Sequence, residues 1–553
     1  MERAVQSATE AVVVRHFRQI LLWPLQLVPV KPGDQIQRHW QYLERAGDHP
    51  WREVADEFTG DPLEFKERHY AEFVTFLPHV QRFLYGEGVG AGPGSGYGES
   101  PIRVFRRRDV AAVRIVSRHR DEPLVFQVAH VDLYFFYDLD VVILALEVFA
   151  DDLELGRVQD ALYRFGRAYP PYWNPDGTGA HCPKRVEWLA ADGTVLSVSD
   201  YERREKYLAF VCRHRAPCIA SHWEYLLSPM VLHHSDAPGA MRYRQIEYHR
   251  MPLMGFLSLD DPHALTRAQF VRLGLVTAPG NPDALPYAEG HVADFETRYC
   301  YDRYWEEGEA STDTRFLCCG HALMMVGNHN EALFEDPETG LLSQFRHQYF
   351  LLFLIAHLHK AALLMLSDRL VVAISKLDIH DAESVKQFKR IIRQTLEIFL
   401  RFTHRYWFHE ISDQVQIKGL FRMAAEHLGT DRLYAEVREE IEDMSQYLES
   451  DTLRRQANTV IRLTVVTVFG LIGTLTTGFL GMNLLAAADW PLGQRLAFFI
   501  AITLPVIALT LYTVVKSKRL SDFLEALSDE RLPSHAKLAA LLDVWRRRAP
   551  RHP

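Results

Sequence analysis

Two apolar segments near the C-terminus constrain the fold of this chain more than any other feature. The first runs from about residue 461 to 480 and the second from about 497 to 515. Each holds about 20 residues, which as an α-helix is long enough to cross the roughly 30 Å hydrocarbon core of a bilayer. Only the short segment 481–496 separates them. The sequence therefore predicts two membrane-spanning helices joined by a loop.

Basic residues flank this pair of spans and predict its orientation. They are Arg454, Arg455, Arg462, Lys516, Lys518 and Arg519. The connecting loop carries only Asp489 and Arg495. Because positive charge stays on the cytoplasmic side, both termini are expected in the cytosol and the loop outside. We expect a multi-pass protein of the cell inner membrane with two spans.

A tripeptide, Gly481-Met482-Asn483, lies at the outer end of the first span. An Asn is costly in lipid and is expected where it faces water or an ion. The run Leu-Thr-Val-Val-Thr-Val at 463–468 leads into the span, and a long soluble region precedes it. With these features the tripeptide resembles the CorA-type magnesium transporters, and the specific part of the resemblance covers roughly residues 401–519.

The resemblance implies a fold and a site. The fold is an α+β cytosolic domain, a long stalk helix and two C-terminal transmembrane helices, assembled as a pentameric funnel with membrane lipid around it. Gly481, Met482 and Asn483 of each chain would form an outer selectivity ring. That ring would hold a hydrated Mg²⁺ through its water shell, since Mg²⁺ sheds water reluctantly.

The first span also offers residues for the wall of a narrow path, because threonines and small residues recur along it. The pore-lining candidates are Thr467, Leu471, Thr474, Leu475 and Gly478. Contact with lipid or with a neighbouring helix is the alternative for each, since helical phase alone does not identify the face toward the axis. A plain anchoring hairpin is the alternative for the pair of spans.

Three positions depart from the family pattern. Leu480 stands where the family usually has an aromatic residue, and Ile472 stands where a Pro is common. The loop after the tripeptide has Asp489 as its only carboxylate. These departures leave ion preference open, so a transporter of Zn²⁺, Co²⁺ or Ni²⁺ from the same superfamily is the alternative to a Mg²⁺ transporter.

The expected function is channel-like uptake of divalent cations, driven by the membrane potential. Two charges moving inward gain about 4.6 kcal/mol per 100 mV. No phosphate-binding loop of the Walker type suggests another energy source. A membrane-anchored enzyme is a further alternative, but no nucleophile–base motif supports it. We expect no enzyme activity and no cofactor apart from the transported ion.

Acidic residues cluster in the helix that precedes the first span. Asp443, Glu449 and Asp451 could form an acidic funnel that concentrates the cation. The alternative is an ordinary solvated helix face. No individual sensor ligand can be assigned from the sequence.

The soluble region gives weaker signals. A net charge of −9 argues against binding nucleic acid. Six irregularly spaced cysteines indicate no disulfide framework. Cys212, His214, Cys218 and His222 have the chemistry of zinc ligands, but their spacing is not that of a standard finger, so ordinary positions in the fold are the alternative.

Composition shifts suggest a division of the chain. The predicted parts are an N-terminal region with a Gly-rich connector (1–100), an α/β domain (101–330), a helical region and stalk (331–460), the first span (461–480), the outer loop (481–496), the second span (497–515) and a cytosolic tail (516–553). Residues 1–85 are interpreted as helix-like stretches broken by prolines. Strands are expected at 124–128, 134–137 and 141–146, with a turn at 138–140.

Two helices of the third part need separate predictions. Residues 349–366 are apolar enough for a third span, but His357, His359 and Lys360 favour a core helix of the soluble part. A further helix is expected to begin at an Asp381 N-cap and to continue through Trp407. After a break at Gly429, one uninterrupted helix could run from Asp431 into the membrane.

Overall fold

The computed structural model describes residues 12–28, 38–45, 47, 49–54, 65–86, 100–118, 122–239, 241–281, 284–309, 312–378, 381–481 and 490–528. The chain forms two compact units, Met1–Ile441 and Glu442–Pro553. The Gly-rich connector, most of the outer loop and the end of the tail lie outside the described residues. The residue boundaries given above for the domains stay predictions.

Strands of the first unit form one mixed sheet. In chain order they are β1 (Val13–Val28), β2 (Trp51–Glu53), β3 (Ile102–Arg107), β4 (Ala112–Val116), β5 (Leu124–Phe136), β6 (Val141–Glu154), β7 (Arg185–Leu189), β8 (Val195–Val198), β9 (Val231–Leu232), β10 (Arg242–Gln245), β11 (Leu253–Leu259), β12 (Cys300–Tyr301), β13 (Arg315–Cys318) and β14 (Ala322–Asn328). The main path through the sheet is β12-β13-β14-β11-β1-β6-β5-β4-β7-β8. Only the pairs β11–β14 and β9–β10 are parallel.

Helices pack around the sheet and continue toward the C-terminus. They are α1 (Gln41–Arg45), α2 (Glu67–Thr75), α3 (Pro78–Tyr85), α4 (Leu155–Arg164), α5 (Arg204–His214), α6 (Ser221–Leu227), α7 (Arg267–Leu275), α8 (Glu289–Tyr299), α9 (Ala332–Glu335), α10 (Leu341–Arg346), α11 (Gln348–Ser375), α12 (Ala382–Arg405), α13 (Val415–Leu428), α14 (Thr430–Gly481) and α15 (Leu492–Ser528). A large N-terminal α+β domain followed by long helices is thus confirmed.

Strand β1 lies in the middle of the sheet, between β6 and β11. Its residues from Phe17 to Leu27 are all buried, because elements cover both faces of the strand. The interpretation of residues 1–85 as helix-like stretches is therefore wrong for this segment. Pro24 is tolerated because the neighbour on one edge changes there: β11 pairs up to Leu21 and β10 from Leu25.

The β5–β6 hairpin carries the strand runs expected from the sequence. The predicted runs at 124–128 and 134–137 are one continuous strand, β5, and the run at 141–146 belongs to β6. The turn at 138–140 is also confirmed, with Asp138 in the left-handed region at φ 63°. Ion pairs anchor this turn to the helices: Asp138 pairs with Arg401 at 2.8 Å, and Asp140 pairs with Arg369.

Helix α11 is a core helix of the first unit. An 18-residue apolar window within Leu341–Ser375 is 78% buried by the protein itself. The helix packs on β1, β6, α12 and α13. His359 is fully buried, and its Nε2 lies 2.6 Å from the carbonyl oxygen of Tyr406. The prediction that this segment belongs to the soluble core is confirmed.

The helices that follow agree with the sequence patterns in most details. The side chain of Asp381 accepts hydrogen bonds from the backbone of Glu383 and Ser384, which confirms the predicted N-cap. Helix α12 ends at Arg405, so its predicted continuation through Trp407 is wrong. Gly429 ends α13 in the left-handed conformation at φ 67°. Helix α14 then runs without interruption for 52 residues, as expected.

Candidate ion pathway in the C-terminal helices

The second unit contains the end of α14 and helix α15, which pack closely at one point. A Cβ atom added to Gly473 would lie 2.9 Å from Cγ1 of Val506. Val465, two helical turns earlier, is 4% exposed, whereas an added Cβ at Gly470 would meet nothing within 4 Å. Helix α14 therefore contacts α15 at Gly473, and the buried Val465 lies on the same side of the helix.

Four of the five predicted pore-lining residues lie on the opposite face of α14. Thr467, Leu471, Thr474 and Gly478 fall within about 60° of one another around the helix axis, at 100° per residue. All four are exposed in the single chain, and Leu471 is 60% exposed. We call these four residues the α14 stripe. The side chain of the fifth candidate, Leu475, lies outside the described part of the chain.

Four threonines of the first span whose side chains are described share one hydrogen-bond pattern. Each hydroxyl donates to the backbone carbonyl four residues earlier: Thr464 to Val460 at 2.9 Å, Thr467 to Leu463 at 2.8 Å, Thr474 to Gly470 at 2.9 Å and Thr477 to Gly473 at 3.0 Å. The hydroxyl proton is therefore used within the helix. The oxygen lone pairs remain as acceptors on the helix surface, where a cation or its water can use them.

The predicted selectivity ring is described only in part. Gly481 is the last residue of α14, so the tripeptide begins where the helix ends. Met482 and Asn483 lie outside the described residues, as does Asp489 of the loop. The role of all three tripeptide residues stays a prediction.

The acidic candidates ahead of the span are on α14. Asp443 and Glu449 are exposed, and the side chain of Asp451 lies outside the described part. Within the described ranges, no group of three or more His, Cys, Asp or Glu side chains is arranged to hold a metal ion. The structure therefore supplies solvated carboxylates and no formed metal centre among these residues.

The four soft-ligand residues of the α+β domain hold ordinary positions. Cys212 is exposed on α5, whereas Cys218 is 3% exposed and His222 is fully buried. Burial lowers the pKa of His222 to about 3, and its Nε2 lies 3.3 Å from the hydroxyl of Tyr201. His214 stacks on His234 instead. Ordinary positions in the fold thus explain these residues.

The apolar surface of the second unit defines the class of protein. Leu492–Leu509 of α15 is long and apolar enough to cross a membrane, and none of it is buried in the chain. The described side chains of α14 include a shorter apolar stretch, Thr459–Leu471. A soluble protein rarely exposes so much contiguous apolar surface. The two closely spaced helices are those of a membrane protein with two C-terminal spans.

The family match agrees with this class. Residues 368–519 match the family model described as CorA-like Mg2+ transporter protein, which covers roughly a quarter of the chain. Over these residues the chain is similar to the CorA-like transporters, and the resemblance noted in the sequence is confirmed. None of the curated proteins matches the chain. The central sheet lies entirely before the matched residues.

Sequence reasoning did not identify the glycine that determines which face of α14 contacts α15. The signal was present as Gly470, Gly473 and Gly478, whose lack of side chains permits close helix contact. Spacing does not say which glycine meets a neighbour. The packing of Gly473 on Val506 supplies that information.

Proposed function

We propose that this protein conducts divalent cations, with Mg²⁺ as its physiological substrate, through a homopentameric pore lined by α14. The observation that carries the proposal is the α14 stripe. Two threonines, one leucine and one glycine form a continuous face turned away from α15, within the residues that match the transporter family.

The stripe supports an oligomer because one copy cannot enclose a path. A face that carries Thr467, Thr474 and Gly478 has small or hydroxylated residues at most positions, so helices can approach one another closely there. Copies arranged around an axis with α15 outermost would cover the stripe on every chain. The apolar window of α15 would then face lipid.

The chemistry of the stripe suits a hydrated cation. Neutral hydroxyl oxygens attract a cation without binding it tightly, which permits release on the inner side. Leu471 lies between Thr467 and Thr474 along the face and would form an apolar constriction that gates by excluding water. Amide and carbonyl oxygens of the tripeptide would hold Mg²⁺ with its water shell, so no dehydration is required.

The membrane potential supplies the driving force in this proposal. Both termini would lie in the cytosol of a cell with an inner membrane, so that cations enter toward the acidic cytosolic part of α14. The gain of about 4.6 kcal/mol per 100 mV for two charges needs no chemical energy source. Transport, and no chemical conversion, would be the whole activity.

The direct test is ion flux into liposomes that contain the purified full chain. Asn483→Ala should abolish selective Mg²⁺ uptake and leave assembly intact, because the ring loses its carboxamide oxygens. Asn458→Ala, ahead of the first span on the same helix, is the matched control and should transport normally. Unchanged Mg²⁺ selectivity in Asn483→Ala would remove the ring from the mechanism, and competition by Zn²⁺, Co²⁺ or Ni²⁺ measures ion preference.

A second pair of variants tests the stripe itself. Thr474→Val removes a hydroxyl from the stripe, whereas Thr477→Val removes one about a quarter turn away, at a half-buried position. Loss of one acceptor worth about 0.5–1.5 kcal/mol predicts a roughly three- to tenfold fall in Mg²⁺ flux for Thr474→Val. Equal flux in the two variants would contradict the assignment of this face to the pore.

A further inference from the structure

Two arginines of the α+β domain lie side by side far from the candidate pathway in sequence. Arg167 follows α4, and Arg250 precedes β11; their backbones form an antiparallel bridge. Arg167 is 3% exposed and Arg250 is half-buried. Neither forms an ion pair with a carboxylate among the described residues. Two adjacent guanidinium groups are thus withdrawn from water without a negative partner.

The hydrogen bonds of these arginines go to neutral groups only. Arg167 donates from Nε and Nη2 to the carbonyl oxygen of Tyr163, at 3.2 and 3.1 Å, and from Nη1 toward Nε2 of His249 at 3.1 Å. Arg250 donates from Nη2 to the carbonyl oxygen of Val276 at 2.5 Å. The Nε of Arg250 is buried and has no hydrogen-bond partner.

Most other buried arginines of the domain have a carboxylate partner, which Arg167 and Arg250 lack within the described ranges. Arg18 pairs with Glu147 at 2.5 Å, Arg107 with Asp109 at 2.6 Å, Arg164 with Asp160 at 2.7 Å and Arg315 with Asp302 at 2.8 Å. Arg272 has no carboxylate partner among the described residues, and it donates to the carbonyl oxygens of Ala278 and Ala284. Burial of an unpaired charge is costly, and two such charges also repel each other.

The groups around the pair are neutral histidines and tyrosines, and two of the tyrosines are exposed. Both ring nitrogens of His181 form hydrogen bonds with tyrosine hydroxyls. Nδ1 bonds to Tyr163, and Nε2 bonds to Tyr172 at 3.2 Å. Tyr172 and Tyr248 are 55% and 70% exposed, so the cluster reaches the surface. Burial and then Arg167 lower the pKa of Arg250 to about 10 and that of His249 to about 4.

The remaining charges close to the pair do not neutralise it. Arg164 is occupied by Asp160, and Lys360 of α11 lies 3.5 Å from Glu247. Burial first and then Arg250, Lys360 and Arg167 lower the pKa of His321 to about 3, which places a further neutral imidazole in the same positive field. The group that would complete this arrangement is a negatively charged oxygen ligand.

We propose that Arg167 and Arg250 form a binding site for a phosphate-class oxyanion, with Arg250 as the residue that contacts the ligand from the surface side. The planar fork of a guanidinium matches the oxygen spacing of a phosphate. Tyr172 and Tyr248 have exposed rings next to His181 and His249 of the same cluster. This site lies in the part of the chain before residue 368 and goes beyond cation transport.

Inorganic phosphate and the phosphate group of an organic ester share the required chemistry, so the experiment separates them. Thermal unfolding of the full chain in detergent is compared in phosphate and in chloride at equal ionic strength. Titration calorimetry then uses inorganic phosphate, AMP and adenosine as separate ligands. Binding of phosphate and AMP without adenosine supports the site; much tighter binding of AMP than of phosphate assigns it to an ester.

The matched variants are Arg250→Gln and Arg213→Gln. Arg213 lies in the same domain, is exposed and pairs with Asp236 at 3.0 Å, so its loss should leave affinity unchanged. Loss of the charged donor at residue 250 should weaken phosphate or AMP binding by about tenfold or more. If Arg250→Gln fails to fold, Arg250→Lys keeps the charge and should bind more weakly than the native chain.

Two results would overturn the proposal. One is a native chain that no phosphate compound binds or stabilises beyond the effect of chloride. The other is an equal loss of affinity in Arg250→Gln and Arg213→Gln. Both measurements are made on binding alone, so they are independent of whether the protein conducts cations.

Discussion

Helices α11 and α15 are both apolar enough to cross a membrane, but their surroundings in the structure are opposite. The 18-residue apolar window within Leu341–Ser375, which includes much of α11, is 78% buried by its own chain, whereas the window of α15 is not buried at all. The difference teaches that hydropathy identifies helices that must leave water. Whether protein or lipid surrounds such a helix depends on the apolar surfaces that the rest of the chain offers for packing.

Polar groups on α11 show how the two cases differ. His359 contacts the carbonyl oxygen of Tyr406, and Lys360 lies 3.5 Å from Glu247. In hydrocarbon these groups would have no partner, and each would cost several kcal/mol. In the window of α15, Arg495 stands near the first turn, and the residues after it carry no charge.

The largest expected effect that separates the two helices comes from a cavity in α11. Leu358 is fully buried, so Leu358→Ala should lower the free energy of unfolding by about 2–5 kcal/mol. Leu496→Ala in α15, where the side chain is 60% exposed, should change it by less than about 0.5 kcal/mol. Urea unfolding of the full chain in detergent, followed by tryptophan fluorescence, measures both.

A larger loss of stability in Leu496→Ala than in Leu358→Ala would contradict this comparison. It would mean that α15 is packed inside the protein and that α11 faces lipid. Similar small effects in both variants would mean that the core around α11 is loosely packed.

Of these two helices, only α11 should respond to acidification, with an intermediate effect on stability. Burial lowers the pKa of His359 to about 4 and also lowers that of His357, so the folded state favours the neutral imidazoles. Their contribution to stability is complete above the unfolded pKa of about 6.5 and is lost as the pH falls toward 4. Near pH 5, protonation linked to His359 alone should have lowered the free energy of unfolding by about 2 kcal/mol.

Urea midpoints at about pH 7.5 and pH 5 measure this loss. His359→Gln can still donate to the carbonyl of Tyr406 but does not titrate, so its midpoint should depend less on pH. If the native chain and this variant show the same pH dependence, His359 is not the group responsible.

The last prediction concerns the packing of α15 on α14, and it includes the smallest expected effect, that of Gly470→Ala. Gly473→Ala places a Cβ against Val506 and should destabilise the helix pair by about 1–3 kcal/mol, with reduced flux. Gly470→Ala meets open space and should instead stabilise the helix by about 0.5–1 kcal/mol. Flux and resistance to detergent unfolding of the two variants provide the measurement. Equal behaviour would mean that these faces do not contact.

Sequence reasoning succeeded where local chemistry decides the outcome. The Asp381 N-cap, the Gly429 break and the 52-residue α14 each depend on neighbouring residues along the chain. The apolar spans and the tripeptide were enough to recognise a resemblance to the family whose model matches residues 368–519. The strand runs of the β5–β6 hairpin were found for the same reason.

Predictions from the sequence failed where contacts between segments distant in the chain determine the structure. The strand character of Val13–Val28 depends on β6 and β11, which follow more than a hundred residues later, and Pro24 is acceptable only because the neighbouring strand changes at that position. The pairing of Arg167 with Arg250 is equally remote in sequence. The phase of α14 required a contact with α15. No local pattern contains these relations.

The central position of β1 sets an order for biosynthesis. At about 5–20 residues per second, β11 leaves the ribosome roughly 10–50 s after the strand that it joins, so apolar residues of β1 remain unpaired on that edge during this interval. The sheet is complete at Asn328, well before the apolar part of α14 begins at Thr459. Translation therefore allows the sheet to close before the apolar part of α14 or any residue of α15 is available for insertion into a membrane.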